Sequence, residues 1–145
     1  MAADTTRYLD VTQEAGAAFI RRSLVGPVVM LNLLRFRDIA DYSADPHLAP
    51  ATPISGAEAF DRYVAHTLPF LTRSGGSILG LYEGAPNLIG PASERWDRVM
   101  LIRQASVASF LAFAEDPAYR AGLGHRTAAI EDSRLLPMTD RKAGG

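Results

Sequence analysis

Residues 28–36 run Val28-Val29-Met30-Leu31-Asn32-Leu33-Leu34-Arg35-Phe36, a β-favouring apolar segment with one polar residue, Asn32, at its centre. As a strand it places Val28, Met30, Asn32, Leu34 and Phe36 on one face and Val29, Leu31, Leu33 and Arg35 on the other. A half-solvated strand alternates apolar with polar residues. This one does not, so both faces are expected to be covered.

On its N-terminal side, residues 1–10 are polar and expected to be loosely held. Asp10 and Thr12 are candidate caps for a short helix near 12–23, which Gly26-Pro27 separates from the strand. On its C-terminal side, residues 37–55 carry Pro46, Pro50 and Pro53 and form a long irregular connection, either a lid or a plain surface loop. Ser55 and Glu58 have the spacing of a capping box. They open a helix to about Arg73 with Phe60, Val64, Thr67 and Leu71 on one stripe, Tyr63 and Leu68 at its edges, and a kink expected at Pro69. Gly75-Gly76 ends it.

Ser77–Gly84 reads as a second strand, which Asn87–Pro91 could continue after a break. Residues 95–103 read as a third, with Trp96, Arg98, Met100 and Ile102 on one face. Ser106 caps a helix to Ala114, Asp116-Pro117 opens a second segment toward Leu123, and His125–Asp132 supplies a further turn. Residues 133–138 form a fourth strand. Residues 1–26 are thus an N-terminal extension, 27–138 a single domain and 139–145 a polar tail.

The order strand–helix–strand–strand–helix–strand is that of an α+β ferredoxin-like βαββαβ sandwich with a four-stranded antiparallel sheet, here with an extra N-terminal helix. Right-handed crossovers put both helices on one sheet face. The other face lacks cover within the chain, although the first and third strands are apolar on both sides. A homodimer, sheet against sheet, is the economical expectation.

The chain has 145 residues, no cysteine and a formal net charge of −1. Disulfides, thiolate metal sites and a cysteine nucleophile are excluded. The dispersed charge offers no nucleic-acid footprint and no membrane tether, and no apolar run is long enough to span a bilayer. A cytoplasmic protein is expected. Three scattered histidines without metal-ligand spacing predict no metal, and no phosphate loop or nucleophile elbow predicts a cofactor.

Several segments together resemble the bacterial domain of unknown function thirteen-thirty family, within the dimeric α/β-barrel superfamily. They are the first strand with Asn32, the helix from Tyr63 and His66 to Gly75-Gly76, the segment from Glu94 through Trp96 and Arg98 to Met100, and residues 110–134 with Asp116-Pro117 and Tyr119. The match spans roughly residues 27–138. The resemblance implies the fold and the dimer but supplies no catalytic residues. The superfamily includes cofactor-free monooxygenases, lactone isomerases and haem-handling proteins, so it does not choose a chemistry.

Six residues are the candidates for a site. Asn32 needs partners for its amide, from neighbouring groups or from a ligand. Trp96 and Arg98 share a face by alternation, and Tyr82 could join them across a hairpin. Two aromatics and a guanidinium suit a small planar anion or enol, and equally suit a dimer core with Arg98 paired to Asp97, Glu83 or Glu94. His66 is the best general acid/base candidate, with Tyr63 at i−3 to share a ligand. Its bland alternative is a boundary histidine bonded to a backbone carbonyl. His125 and His47 carry less weight.

The leading expectation is a homodimeric, cofactor-free enzyme, of monooxygenase or isomerase type, acting on a small aromatic or enolisable molecule with His66 moving a proton. The alternatives are a non-catalytic ligand-binding or sensing dimer and a structural dimer with no ligand. Cavity geometry discriminates them. A polar cavity with His66 opening into it favours the enzyme, the same cavity without His66 favours binding, and a filled interior favours the structural dimer.

Overall fold

The computed structural model describes residues 6–141. The 28–36 segment forms strand β1, with the bounds Val28–Phe36. Before it, helix α1 (Gln13–Arg21) is capped by Thr12, whose side chain accepts from Ala15 N. After it come helix α2 (Gly56–Arg73), strands β2 (Ser77–Glu83) and β3 (Arg98–Gln104), helices α3 (Val107–Glu115), α4 (Pro117–Arg120) and α5 (Leu123–Ala129), and strand β4 (Ile130–Met138). The strands form one antiparallel sheet in the order β2-β3-β1-β4, the ferredoxin-like arrangement.

Local chemistry sets the helix starts. The Ser55 side chain accepts from Glu58 N, Ser106 from Ser109 N and Asp116 from Ala118 N. Each satisfies an amide that has no acceptor inside its helix. Helix α2 continues through Pro69 to Arg73.

One face of β1 carries Val28, Met30, Leu34 and Phe36, all buried against the helices. An aromatic ladder fills the layer between: Phe36 meets Phe60 at 5.4 Å, Phe60 meets Tyr63 at 5.3 Å, and Tyr119 lies 4.2 Å from Phe113. Tyr63 belongs to this core rather than to the edge of the α2 stripe, and its hydroxyl meets that of Tyr119 at 2.7 Å. Burial, then the neighbouring Tyr63, push the Tyr119 hydroxyl far above its ordinary range, so it stays protonated.

The opposite sheet face is only partly covered within the chain, with Tyr8 and Trp96 lying over Arg134 beside Leu33. Val29, Leu31 and Leu33 lie there with Val99, Leu101 and Leu136, by register with β3 and β4. The expectation of cover on both faces of β1 is met on one face by the chain itself.

Other expectations change as well. β3 begins at Arg98, because Arg95 to Asp97 are spent on a loop whose Asp97 side chain and backbone tie down β1. β4 begins at Ile130, where a register shift against Arg35 and Phe36 carries the chain out of α5 without a turn. Residues 87–91 leave the sheet entirely, with Leu88 and Ile89 exposed. The 37–55 connection is packed down: Tyr42, Leu48 and Ile54 join the core, and Asp41 N donates to Ala128 O.

The N-terminal segment is also pinned. Tyr8 N donates to Asp132 Oδ1, and Tyr8 O accepts from both Ser133 N and Ser133 Oγ. Arg126 Nη1 donates to Leu9 O. Residues 1–5 and most of the polar tail, 142–145, lie outside the described residues. No helix among the described residues is long and apolar enough to cross a membrane.

Candidate functional site

The six sequence candidates are dispersed. Asn32 faces the helix layer between Met30 and Leu34, and its Nδ2 donates to Met30 O and Met100 O, each at 3.3 Å. Tyr63 is spent on Tyr119. His66 is half-buried on α2. Its Nε2 donates to Ala118 O at 2.9 Å, and its ring lies against Phe70 and on Gly122, where a Cβ would come within 2.2 Å of it.

Trp96, Arg98 and Tyr82 do not share a face, which corrects the expectation from alternation. Arg98 points into the helix layer, where Nη1 meets Asp61 Oδ1 at 2.7 Å, Nη2 meets Glu83 Oε1 at 3.4 Å, and the guanidinium stacks 5.0 Å over Phe36. Tyr82 pairs with Val99, one residue out of phase with Arg98, and its ring folds over Gly80 on the open sheet face. Trp96 precedes the strand and so escapes its alternation. Its ring stacks 5.1 Å from the Arg134 guanidinium, which also lies 4.6 Å over Tyr8 and pairs with Asp132.

The register brings a different set together. Leu34 pairs with Arg98, so the chain leaving β1 runs beside the chain entering β3. The N-terminus of α2 closes the third side, because Gly56 N donates to Arg37 O and Arg37 N to Ala129 O. Gly56 is required for this approach: a Cβ there would lie 2.3 Å from Arg37 O. Between these elements lies an open cleft of about 420 Å³, lined by Phe36, Arg37, Asp38, Ser55, Ala57, Glu83, Arg95 and Asp97. An adjoining cleft of about 430 Å³ shares Arg37, Asp38 and Arg95 and adds Glu131. None of the six sequence candidates lines either one.

The charged groups around the cleft are unequally committed. Asp97 is fully used, with Oδ1 on Arg95 Nε at 3.0 Å and Oδ2 accepting from Phe36 N at 2.8 Å. Glu83 reaches back to Arg98. Glu131 holds Arg7 and Arg35. Among the described residues the Arg37 side chain has no hydrogen bond or ion pair, and its buried Nε lacks an acceptor. The arrangement can hold a small polar molecule through one guanidinium without a hydrogen bond or close ion pair, a short apolar floor and flanking carboxylates.

Elsewhere, Tyr42 Oη lies 2.7 Å from His125 Nδ1. Burial, then Arg62 and His66, hold the His125 imidazole below its ordinary value, and burial raises the Tyr42 hydroxyl. The pair is therefore a neutral tyrosine hydrogen-bonded to a neutral imidazole. No group of three or more His, Asp or Glu side chains among the described residues is placed to hold a metal ion.

No protein-family model and no curated protein matches the chain. Among solved structures it is similar to the methylated RPA0582 protein, with a TM-score of 0.84 at 37% identity over 97% of this chain and 99% of that one. A second structure of RPA0582, a protein of unknown function from Rhodopseudomonas palustris, gives 0.83 at 37% identity over 94% and 99%. A distant likeness, TM-score 0.47 at 16% identity over 83% and 98%, is to SnoaB, a cofactor-independent oxygenase from Streptomyces nogalater, and no chemistry is carried across at that level. With 37% identity over nearly the full length of both chains, this protein belongs to the family of the Rhodopseudomonas palustris RPA0582 protein.

Proposed function

We propose that the chain is a small-ligand-binding homodimer whose site is the cleft at Arg37. The observation that carries this reading is an open cleft of about 420 Å³, edged by charged side chains over an apolar floor, into which His66 does not open. That volume lies within the roughly 300–1,000 Å³ span of small-molecule sites. His66 is nine residues beyond Ala57 on α2, about 14 Å along the helix axis at 1.5 Å per residue. With Nε2 held by Ala118 O, it favours binding over oxygenation or isomerisation. The dimer reading rests on the open sheet face, where Leu31, Leu33, Val99 and Leu101 form an apolar surface that a second copy would cover. The same reading places the chain in the thirteen-thirty family of dimeric α/β barrels, on the strand, tryptophan and Asp-Pro segments.

Two measurements test it. Sedimentation equilibrium should give twice the 15.6 kDa chain mass, and Leu31→Asp should return it to one chain. A thermal-shift panel of small polar organic molecules should raise Tm for some members, and Asp38→Asn or Arg37→Gln should change which ones. A monomeric mass would remove the dimer. A panel without a single shift would remove the ligand.

A further inference from the structure

We infer that the Arg37 cleft takes the carboxylate of a small organic monoacid with an apolar or aromatic body, an inference that rests on the cleft being the binding site. The first ground is the unspent guanidinium. Arg95 and Arg98 each hold carboxylates of the chain, whereas Arg37 makes no ion pair within 4 Å among the described residues, acts on Asp41 only through space, and buries an Nε without an acceptor. A bound acceptor would satisfy that N–H. A planar carboxylate matches the fork of a guanidinium through two parallel bonds.

The second ground is the amide side of the cleft. Of the first amides of α2, Gly56 N is used by Arg37 O and Glu58 N by Ser55 Oγ. The Ala57 amide is left without an acceptor in its own helix, and Ala57 lines the cleft. It is held in place, because Arg37 is hydrogen-bonded through both backbone groups to Ala129 and Gly56. A preformed site of this kind needs little ordering when it fills.

The third ground excludes the more highly charged anions. Asp38, Glu83 and Asp97 all line the same cleft. Three carboxylates beside two guanidiniums disfavour a phosphate dianion and tolerate a monoanion, particularly one carrying a hydroxyl or amino donor toward Asp38. Phe36 and Ala57 supply the apolar contact for the body of the ligand.

The test is an amide-resolved NMR titration of the full chain with benzoate, phenylacetate, their neutral amides and inorganic phosphate. The acids should move the Ala57 and Asp38 amide signals. The neutral amides and phosphate should leave them in place at the same concentration. Arg37→Gln, checked as folded by its own spectrum, should weaken acid binding at least tenfold, and Arg95→Gln should weaken it less. Neutral amides binding as well as the acids, or Arg37→Gln binding them as well as the natural chain, would overturn the carboxylate assignment and leave the cleft as a binding site. Silence from every probe would overturn both.

Discussion

Replacing Gly56 with alanine should cost the protein about 0.5–4.5 kcal/mol of stability. The added Cβ would lie 2.3 Å from Arg37 O, 2.8 Å from Ala129 O and 2.9 Å from Arg37 N. All three are backbone atoms, so no rotamer change relieves them. Either α2 withdraws from the end of β1 or the Gly56 N to Arg37 O bond opens. Overpacking of this kind costs about 1–3 kcal/mol, and the lost hydrogen bond adds roughly 0.5–1.5. Against this, alanine in place of glycine in a helix gains up to about 1 kcal/mol. At roughly 2–4 °C per kcal/mol for a chain of this size, Tm should fall by about 1–18 °C. Calorimetry and urea denaturation followed by circular dichroism would both report it. Gly16→Ala in α1 is the control, since its Cβ meets only Val11 at 3.4 Å and should leave Tm unchanged or slightly raised. A Gly56→Ala protein as stable as the natural chain would refute the close approach of α2 to Arg37, and with it the closed side of the cleft.

Three further outcomes are expected. Tyr63→Phe and Tyr119→Phe should each cost about 1–3 kcal/mol, because each strands the other hydroxyl in the core, and the double variant should cost less than the two together; additive losses in urea melts would show that the two hydroxyls do not pair. Because His125 titrates below 6.5 when folded, its stabilising contribution is complete above pH 6.5 and is lost as pH falls through the folded value, so Tm should decline below pH 6.5 and His125→Gln should remove that part of the decline; an unchanged slope would refute the assignment. Gln104 is 0% exposed with both side-chain amide atoms unpartnered, so Gln104→Met should raise stability by about 1–3 kcal/mol, and a loss of that size in calorimetry would reveal a buried partner for the amide.

The parts of the fold that depend on neighbours in sequence were legible. β1 has its expected bounds, and Thr12, Ser55, Ser106 and Asp116 cap the helices they were expected to cap, because capping involves residues two or three apart. The strand order followed from the element order. The site was not legible, because it depends on register. Alternation placed Arg98 correctly with Met100, but the pairing of Tyr82 with Val99 and the late start of β3 separate it from Tyr82 and Trp96. The convergence of Arg37, Asp38 and Arg95 requires Leu34 to face Arg98, and single-strand patterns do not carry that information. The only sequence signal was a pair of charged clusters, 35–38 and 94–98, flanking two apolar strands.

The two outer strands of the sheet are each closed to further pairing, by different means. Along β4, the Tyr8 carbonyl occupies the Ser133 amide, and Pro137 has no amide to offer. Along β2, the irregularity between Ile78 and Gly80 breaks the repeat that an incoming strand would have to follow. A sheet blunted at both margins resists lateral growth into fibrils. Its apolar face remains, and a face-to-face pair buries that surface on both members at once. Association would then stop at two, so that the same architecture that invites a partner also limits the assembly to one.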